Sequence, residues 1–429
     1  MNESMSCSVS VIGAGYVGLT TAACLASIGH RVSVYDIDSD KIAKLLNFEM
    51  PIFEPGLREL VANGLNTGLL KFSTDVASVT SDVELVFLCV PTPQDEDGAA
   101  DLTYVLAAAR ECGKYVKPGA VIVTKSTVPV GSVERIRAAI AREDLYYAAN
   151  PEFLREGSAI SDFLNPDRIV VGSSSVQASE KLSNLYAPLE KQIFITSQES
   201  AETIKYASNA FLAMKLSFVN DLAALCEKTG SDISQVTAGM GLDSRIGDKF
   251  LSAGPGWGGS CFPKDTKALS SLAESLGVAM PLINATLESN ERAHKRVVDI
   301  IQSGLGGSLE GKVVCAWGLS FKSNTDDTRE SPALAVISRL QNRGAIVRAY
   351  DPHAHAPNLK VTRTETALEA AIGADALVVL TEWENFSEIP IEEVKHAMKG
   401  DFVLDTRDVL DRSHWIKYFD RFTKIGLGQ

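Results

Sequence analysis

The chain has 429 residues, 45% of them apolar and 22% charged, which excludes a lone small module, a disordered chain and a fibrous one. At roughly 100–200 residues per domain this length allows about two to four domains. The 54 Asp and Glu outnumber 41 Lys and Arg for a net charge of -13, and no basic run occurs, so nucleic acid and anionic membrane are poor candidate partners. The start, MNESMSCSVSVIGAGYVG, runs directly into a strand pattern without a basic n-region, a long apolar core or a cleavage site. From residue 7 to about 150, the runs SVSVIG, RVSVYD, VELVFLCV, AVIVTKS and LYYAAN alternate with helical patterns, beginning with 16–28. Strands apolar on both faces with helices between them predict a parallel sheet covered on both sides.

The connection NPEFLREGSAISDFLNPDRIVVG follows, then a strand-like segment at 192–196. From Glu199 to about Gly230 an apolar stripe at helical spacing runs without Gly or Pro until its end. It predicts a helix on the order of 40 Å, long enough to bridge two domains and supply a subunit interface. Helical patterns continue to about Ile301, broken by the glycine-rich segment 254–259, and QSGLGGSLEG (302–311) has the composition of a linker. Beyond it KVVCAWGLSF, a helical segment 332–343, AIVRAYDP, ALVVLTEW and DFVLDTR again alternate strand and helix. No stretch of about 18 or more apolar residues without charges occurs, so no membrane-spanning helix is expected.

Gly13-Ala14-Gly15-Tyr16-Val17-Gly18 sits between a predicted strand and a helix, the context in which GxGxxG carries meaning. The first glycine permits the tight turn, the second admits a pyrophosphate, and the third packs helix on sheet. The helix N-terminus supplies N–H groups for the phosphates. Asp36 ends the second strand, where its carboxylate can bind an adenosine ribose and would repel a 2′-phosphate, which favours NAD over NADP. Thr92, Ser126 and Thr127 lie at carboxyl ends of later strands, where open α/β sheets bind ligands. The fold class is α/β: two Rossmann-like doubly wound parallel-sheet domains, 1–198 and 302–429, joined by a central helical domain, 199–301, that holds the long helix.

Seven cysteines, at 7, 24, 89, 112, 226, 261 and 315, form no CxxC pair, which reads as a reduced, cytoplasmic chain. Six sit in apolar strand or helix patterns and read as inert core thiols. Cys261 instead follows four glycines in six positions, 254–259, and starts a helix running from about Pro263 to Leu276. The helix N-terminus and nearby Lys264 would favour its thiolate, making it a candidate nucleophile. Lys205 and Asn209, four apart on the long helix, share a face where a cation and an amide can hold a developing oxyanion. Glu152 and Glu156 are also four apart and would share a face if NPEFLREG is helical. No HExxH occurs, His353 and His355 decorate a turn, and no metal site is expected.

Taken together, GAGYVG, VPTP, KSTVPVG, NPEFLREG, PDRIVVG, KYASNAFLA, GPGWGGSCFPKD, TDDTRESPA and LTEW resemble the UDP-glucose/GDP-mannose dehydrogenase family, in order from residue 11 to about 410. Within it the branch acting on UDP-glucose is the most similar. The resemblance implies NAD-dependent four-electron oxidation of a nucleotide sugar at C6, UDP-glucose to UDP-glucuronate, through a thiohemiacetal and a thioester on Cys261. It implies that Lys205 and Asn209 stabilise the oxyanions, that Asp265 with Thr127 and water handles protons, and that Glu152 assists thioester hydrolysis.

For cofactor binding the resemblance implies Gly13, Gly15, Tyr16, Val17, Gly18, Asp36, Lys41, Thr92, Ser126, Thr127, Glu156, Lys264 and Arg329. For the nucleotide sugar it implies Glu152, Phe153, Leu154, Lys205, Asn209, Ser252, Gly256, Gly258, Phe321, Lys322 and Arg407. Arg245 would reach a neighbouring subunit's substrate, so a homodimer or larger homo-oligomer is expected. Because both ligands are anionic and the chain is acidic, positive potential is expected around Lys205, Arg245, Lys264, Lys322, Arg329 and Arg407. Two alternatives remain: a two-electron dehydrogenase of the β-hydroxyacid or 6-phosphogluconate kind, which needs neither the cysteine nor a third domain, and a non-catalytic NAD-binding regulator.

Overall fold

A computed structural model describes residues 6–95, 98–356 and 361–428; the first residues of the chain start, MNESM, lie outside them. The chain forms two compact units, Met1–Ser208 and Asn209–Gln429. The first contains strands β1 (Ser8–Ile12), β2 (Arg31–Tyr35), β3 (Leu70–Ser73), β4 (Leu85–Leu88), β5 (Val121–Thr124), β6 (Tyr146–Ala149), β7 (Ile169–Gly172) and β8 (Ile193–Thr196). They form one sheet in the order β3-β2-β1-β4-β5-β6-β7-β8. Six strands are parallel, as the two-faced apolar runs predict, and Leu85, Val86, Phe87 and Leu88 of β4 are all fully buried. One apolar core, including Val9, Val11, Leu25, Val34 and Leu45, covers one side of the sheet, and a second, including Val86, Leu88, Val105 and Ile136, covers the other.

The stretch expected to be only a connection departs from that reading. It contains a helix, Ala159–Leu164, and then β7, which meets β6 antiparallel at Ala149 and Gly172. β8 then pairs parallel with β7. A short apolar run carries no signal for strand direction, so the reversal is a property of the connection and is not written in the strand.

The long helix spans Gln198–Thr229, 32 residues, and the boundary between the two units falls within it. Its second half belongs with the C-terminal sheet: Val219, Ala223 and Cys226 share a core with Val297, Ile301, Val314, Val347 and Leu404. This packing corrects the expected linker at 302–311. The helix Pro281–Gly304 continues into it, the Phe402 ring lies against Gly304, Gln302 donates to the Gly307 carbonyl at 2.8 Å, and Leu309 is buried. The glycines there make a tight turn.

The second unit carries β9 (Val313–Trp317), β10 (Ile346–Tyr350), β11 (Thr362–Arg363), β12 (Ala376–Val379), β13 (Phe402–Asp405) and β14 (Arg421–Lys424), all parallel, in the order β11-β10-β9-β12-β13-β14. This repeats the order of β1 to β6. The likeness extends to single bonds. Gly13, at φ 102°, donates to the Tyr35 carbonyl at 2.7 Å, and Ala14 N–H donates to Asp36 Oδ2 at 2.7 Å. Gly318, at φ 104°, donates to the Tyr350 carbonyl at 2.8 Å, and Leu319 N–H donates to Asp351 Oδ2 at 2.7 Å. Each sheet therefore has a strand-turn bracket closed by the carboxylate at the end of its neighbouring strand. Among the described residues no helix is long and apolar enough to cross a membrane.

Candidate active site

The glycine turn of the first unit fits a dinucleotide. A Cβ on Gly18 would stand 1.9 Å from the Gly13 carbonyl oxygen, so only glycine lets the helix Tyr16–Ser27 begin so close to β1. A Cβ on Gly15 would meet nothing within 4 Å, which leaves open space where the second glycine must admit the pyrophosphate. Asp36 accepts three hydrogen bonds, from Ala14 N, Asp38 N and Lys41 Nζ, of the roughly four that a carboxylate can take. One lone pair is left for a ribose hydroxyl. Val17 packs on the core, and Tyr16 donates from its hydroxyl to Glu54. Thr92 Oγ1 donates to the Thr127 carbonyl at 2.9 Å and Ser126 Oγ to the Val90 carbonyl at 2.6 Å, which ties the ends of β4 and β5 together.

Beyond β6, residues 151–155 have no regular structure, so Glu152 and Glu156 do not share a helix face. Pro151 and the hydrogen bonds of Glu54 to Gly157 N and Ala159 N hold this segment irregular. Glu152 is buried, accepts from Leu154 N at 2.6 Å and pairs with Lys205 Nζ at 2.9 Å. Burial alone would raise its carboxyl, but the Lys205 charge and hydrogen bond, the Leu154 N–H and the Lys125 charge hold it below the usual range. Phe153 lies under the Arg168 guanidinium, 3.6 Å from ring centroid to carbon, and 5.5 Å from Lys205 Nζ, while Leu154 joins the core. Glu156 is half-buried. Ser126, Thr127, Pro151, Lys205 and Glu202 line a cavity of about 10 Å³, at the lower limit of what one water needs. Burial raises Glu202 to about 7 although it accepts from Gly131 N and Val133 N at the start of the helix Ser132–Ile140.

In the second unit Cys261 is half-buried at the N-cap of the helix Phe262–Ser275, with its carbonyl accepting from Asp265 N at 2.8 Å. The fully buried Asp265 carboxylate accepts from Asn209 Nδ2 at 2.6 Å and Lys264 Nζ at 2.5 Å. Lys264 is thus paired with Asp265, and one of Asn209's two amide N–H bonds is in use. The glycine loop is fixed from behind. Asn220 Oδ1 accepts from Gly254 N, Asn290 accepts from Trp257 N and donates to its carbonyl, and Trp257 Nε1 donates to Ser217 Oγ. His294, buried with both ring nitrogens free of hydrogen bonds and pushed down to about 4 by burial, packs against Gly256 as a neutral ring.

The loop also meets the RESPA segment. Gly259 N donates to the Arg329 carbonyl at 3.2 Å, and Gly258 lies against the carbonyl of Glu330, which is held at φ 48°. A glutamate in the left-handed region is backbone strain held where the two segments meet. Phe321 faces Gly259, and Lys322 Nζ lies 5.6 Å from the Phe321 ring centroid. Arg407 lies against Gly254 and donates to the carbonyls of Leu380 at 2.9 Å and Phe321 at 3.1 Å. Ser252 is exposed, and Arg245 is exposed and paired with Asp243 at 2.6 Å.

The expected concentration of positive charge takes a different form. Lys205, Arg245, Lys264, Arg329 and Arg407 each pair with a carboxylate, of Glu152, Asp243, Asp265, Asp327 and Glu382 respectively. The cations expected to draw anionic ligands thus already have carboxylate partners. The sequence reading missed Lys125, Glu202, Glu54 and Asn290, whose hydrogen-bond partners lie far away along the chain, and His294, which packs against Gly256. The inert thiols fit their environments: burial pushes Cys24, Cys89 and Cys112 up to about 12 and also raises Cys7 and Cys315. Among the described residues no group of His, Cys, Asp and Glu is arranged to hold a metal.

Comparison with known proteins accounts for both units. Residues 7–190 match the NAD binding domain of the UDP-glucose/GDP-mannose dehydrogenase family, 199–292 its central domain and 315–412 its UDP binding domain. The chain is 43% identical to the UDP-glucose 6-dehydrogenase of Rhizobium meliloti over 97% of its length and 99% of that protein's. It is 44% identical to the UDP-glucose 6-dehydrogenase TuaD of Bacillus subtilis over 94% of its length and 89% of that protein's. The solved structure of a UDP-glucose dehydrogenase from Pyrobaculum islandicum superposes with a TM-score of 0.91 at 36% identity, covering 99% of both chains. With three domain matches in series and relatives of this identity across nearly its whole length, the chain belongs to the UDP-glucose/GDP-mannose dehydrogenase family.

Proposed function

We propose that this chain oxidises UDP-glucose to UDP-glucuronate, with NAD accepting a hydride in each of two successive oxidations. The observation that carries the reading is Cys261, half-buried at a helix N-cap inside a fixed glycine loop, with Asp265 one turn on and held by Asn209 and Lys264. A two-electron dehydrogenase has no use for that cysteine. In the first oxidation the C6 hydroxyl loses a proton toward Asp265, while Lys205 and Asn209 hold the oxygen as charge develops. The Cys261 sulfur then adds to the aldehyde carbon, and the resulting tetrahedral thiohemiacetal can lose a second hydride. The product of that loss is a thioester, and Glu152 takes a proton from the water that cleaves it, returning the thiol and leaving the carboxylate.

The domain roles follow as part of the same proposal: residues 1–198 hold NAD, 199–301 carry the long helix and the cysteine loop, and 302–429 hold the uridine diphosphate. Thr92, Ser126, Thr127, Lys41, Glu156, Lys264 and Arg329 attend the cofactor. Phe153, Leu154, Ser252, Gly256, Gly258, Phe321, Lys322 and Arg407 attend the nucleotide sugar. Seven free thiols, one of them required as a thiol, suit a reducing cytoplasmic setting.

The stoichiometry of NADH to sugar tests the reaction. A panel of UDP-glucose, dTDP-glucose and GDP-mannose is expected to give two NADH per sugar with UDP-glucose preferred, and one per sugar would remove the four-electron route.

We further infer a homodimer through the long helix. Phe211, Phe218 and Leu225, seven residues apart, are 56%, 53% and 57% exposed and form one apolar stripe along it. Arg245, exposed in its own chain, is then the residue that reaches the partner's substrate. Light scattering is expected to report twice the chain mass in wild type and the single chain mass in Phe218→Glu; a monomeric wild type would remove the reading.

A further inference from the structure

Glu54 lies just before the helix Leu57–Thr67, accepts from Leu57 N at 3.2 Å through its carbonyl, and is 6% exposed. Its carboxylate faces three donors from two distant segments. Oε2 accepts from the Tyr16 hydroxyl, at the start of the helix Tyr16–Ser27, and from Gly157 N at 2.7 Å, while Oε1 accepts from Ala159 N at 2.8 Å. A carboxylate satisfies three donors at once, whereas an amide would turn its own N–H bonds toward one of them. Burial and the Glu54 hydrogen bond raise the Tyr16 hydroxyl above its ordinary value, so it stays a donor. That hydroxyl also stands 3.5 Å from the Arg155 carbonyl oxygen, at the limit of a hydrogen bond, so its proton is committed to Glu54. Arg155 and Asp162 bind each other within the same stretch, which stiffens it without tying it to the glycine turn.

The Gly157 N–H belongs to the peptide that joins Glu156 to Gly157, so its bond to Glu54 fixes the backbone of Glu156 directly. Tyr16 opens the helix whose N-terminus is placed to take the phosphates. Val17, Ile52, Leu154 and Ile160, from the same three segments, pack on one apolar core. Such packing is non-directional, so it gathers the segments while the carboxylate sets their register. We propose that Glu54 is a positioning residue of the NAD site, which sets the spacing between the glycine turn and Glu156 by holding Tyr16 and the Glu156–Gly157 peptide on one carboxylate oxygen. The inference rests on the assignment of Tyr16 and Glu156 to the cofactor given above.

The test titrates NAD and UDP calorimetrically into Glu54→Gln, Tyr16→Phe, the double variant and Glu156→Ala. Glu54→Gln is expected to weaken NAD about tenfold, the scale of one hydrogen bond to a charged group, and to leave UDP, assigned to residues 302–429, within about twofold of wild type. Tyr16→Phe is expected to weaken NAD by a similar factor. The double variant is expected to fall no more than about twofold below Glu54→Gln, because both changes cut the same tie. A double variant weakened by the product of the two factors overturns the proposal, since Tyr16 would then act on the cofactor separately. Equal losses of NAD and UDP in Glu54→Gln also overturn it, as a general loosening of the chain. NAD weakened in Glu156→Ala but within about twofold of wild type in Glu54→Gln overturns the role of Glu54 alone. Wild-type NAD affinity in both Tyr16→Phe and Glu156→Ala overturns their assignment to the cofactor and this inference with it. If Glu54→Gln does not fold, Tyr16→Phe decides: weaker NAD with unchanged UDP is expected, and wild-type NAD affinity overturns the proposal.

Discussion

Replacing Cys261 by Ala is expected to abolish acid formation, a loss on the order of 10⁴-fold or more, as befits removal of the proposed covalent nucleophile of a stepwise reaction. Without the sulfur, the aldehyde carbon stays trigonal and has no second hydride to give at a useful rate. The fold should survive, because Cys261 is only half-buried and Ala preserves the backbone carbonyl that accepts from Asp265 N, giving up a long Sγ contact to Ser260 Oγ at 3.6 Å. NAD affinity should also survive, since the substitution removes only the thiol and leaves the glycine turn, Asp36 and the other proposed cofactor residues in place. Kinetics of acid production paired with calorimetric titration of NAD check both halves. Acid formation at the wild-type rate would take the cysteine out of the mechanism.

Gly258→Ala is expected to cost at least about 100-fold in kcat/KM for the nucleotide sugar, because displacements of about 1 Å at a positioned site carry losses of that size. The added Cβ would stand 1.9 Å from the Glu330 carbonyl oxygen and 2.8 Å from Pro332 Cδ. Neither is a flexible side-chain end. The backbones must part, and the hydrogen bond from Gly259 N to the Arg329 carbonyl lies in the same contact. Overpacking of this kind also costs about 1–3 kcal/mol of stability. Thermal melting should therefore fall, and NAD affinity should fall far less than kcat/KM, because the glycine turn and Asp36 are untouched while Arg329 alone of the proposed cofactor residues lies at the contact. Wild-type sugar kinetics in this variant would show that loop and RESPA segment need not touch.

Much of the architecture was legible because it rests on local demands. The turn at Gly13 needs a positive φ, the packing at Gly18 tolerates no Cβ, and a 32-residue helix announces itself by its uninterrupted stripe. The six parallel strands of the first sheet follow from apolar runs on both faces. What escaped was relational. Nothing local marks Lys125 and Glu202; their partners appear only when β6 and the start of the helix Ser132–Ile140 stand beside them. Asn290 and His294 look like polar positions of an amphipathic helix, yet they hold a loop more than thirty residues earlier in the chain. The shared helix face of Glu152 and Glu156 failed because Pro151 and the Glu54 bonds keep the segment irregular.

The second strand-turn bracket carries a different lesson. Asp351 accepts from Leu319 N, Ser320 N, Ser320 Oγ, His353 N, Ala354 N and Trp383 Nε1, whereas Asp36 accepts from only three donors. The same carboxylate at the same place in the same topology is saturated in one half of the chain and receptive in the other. Two copies of one fold can thus diverge in what they recognise without any change of scaffold, simply by whether the protein's own donors fill the carboxylate. In the C-terminal copy the bracket has become a structural rivet, which frees that sheet to specialise in a ligand other than a dinucleotide.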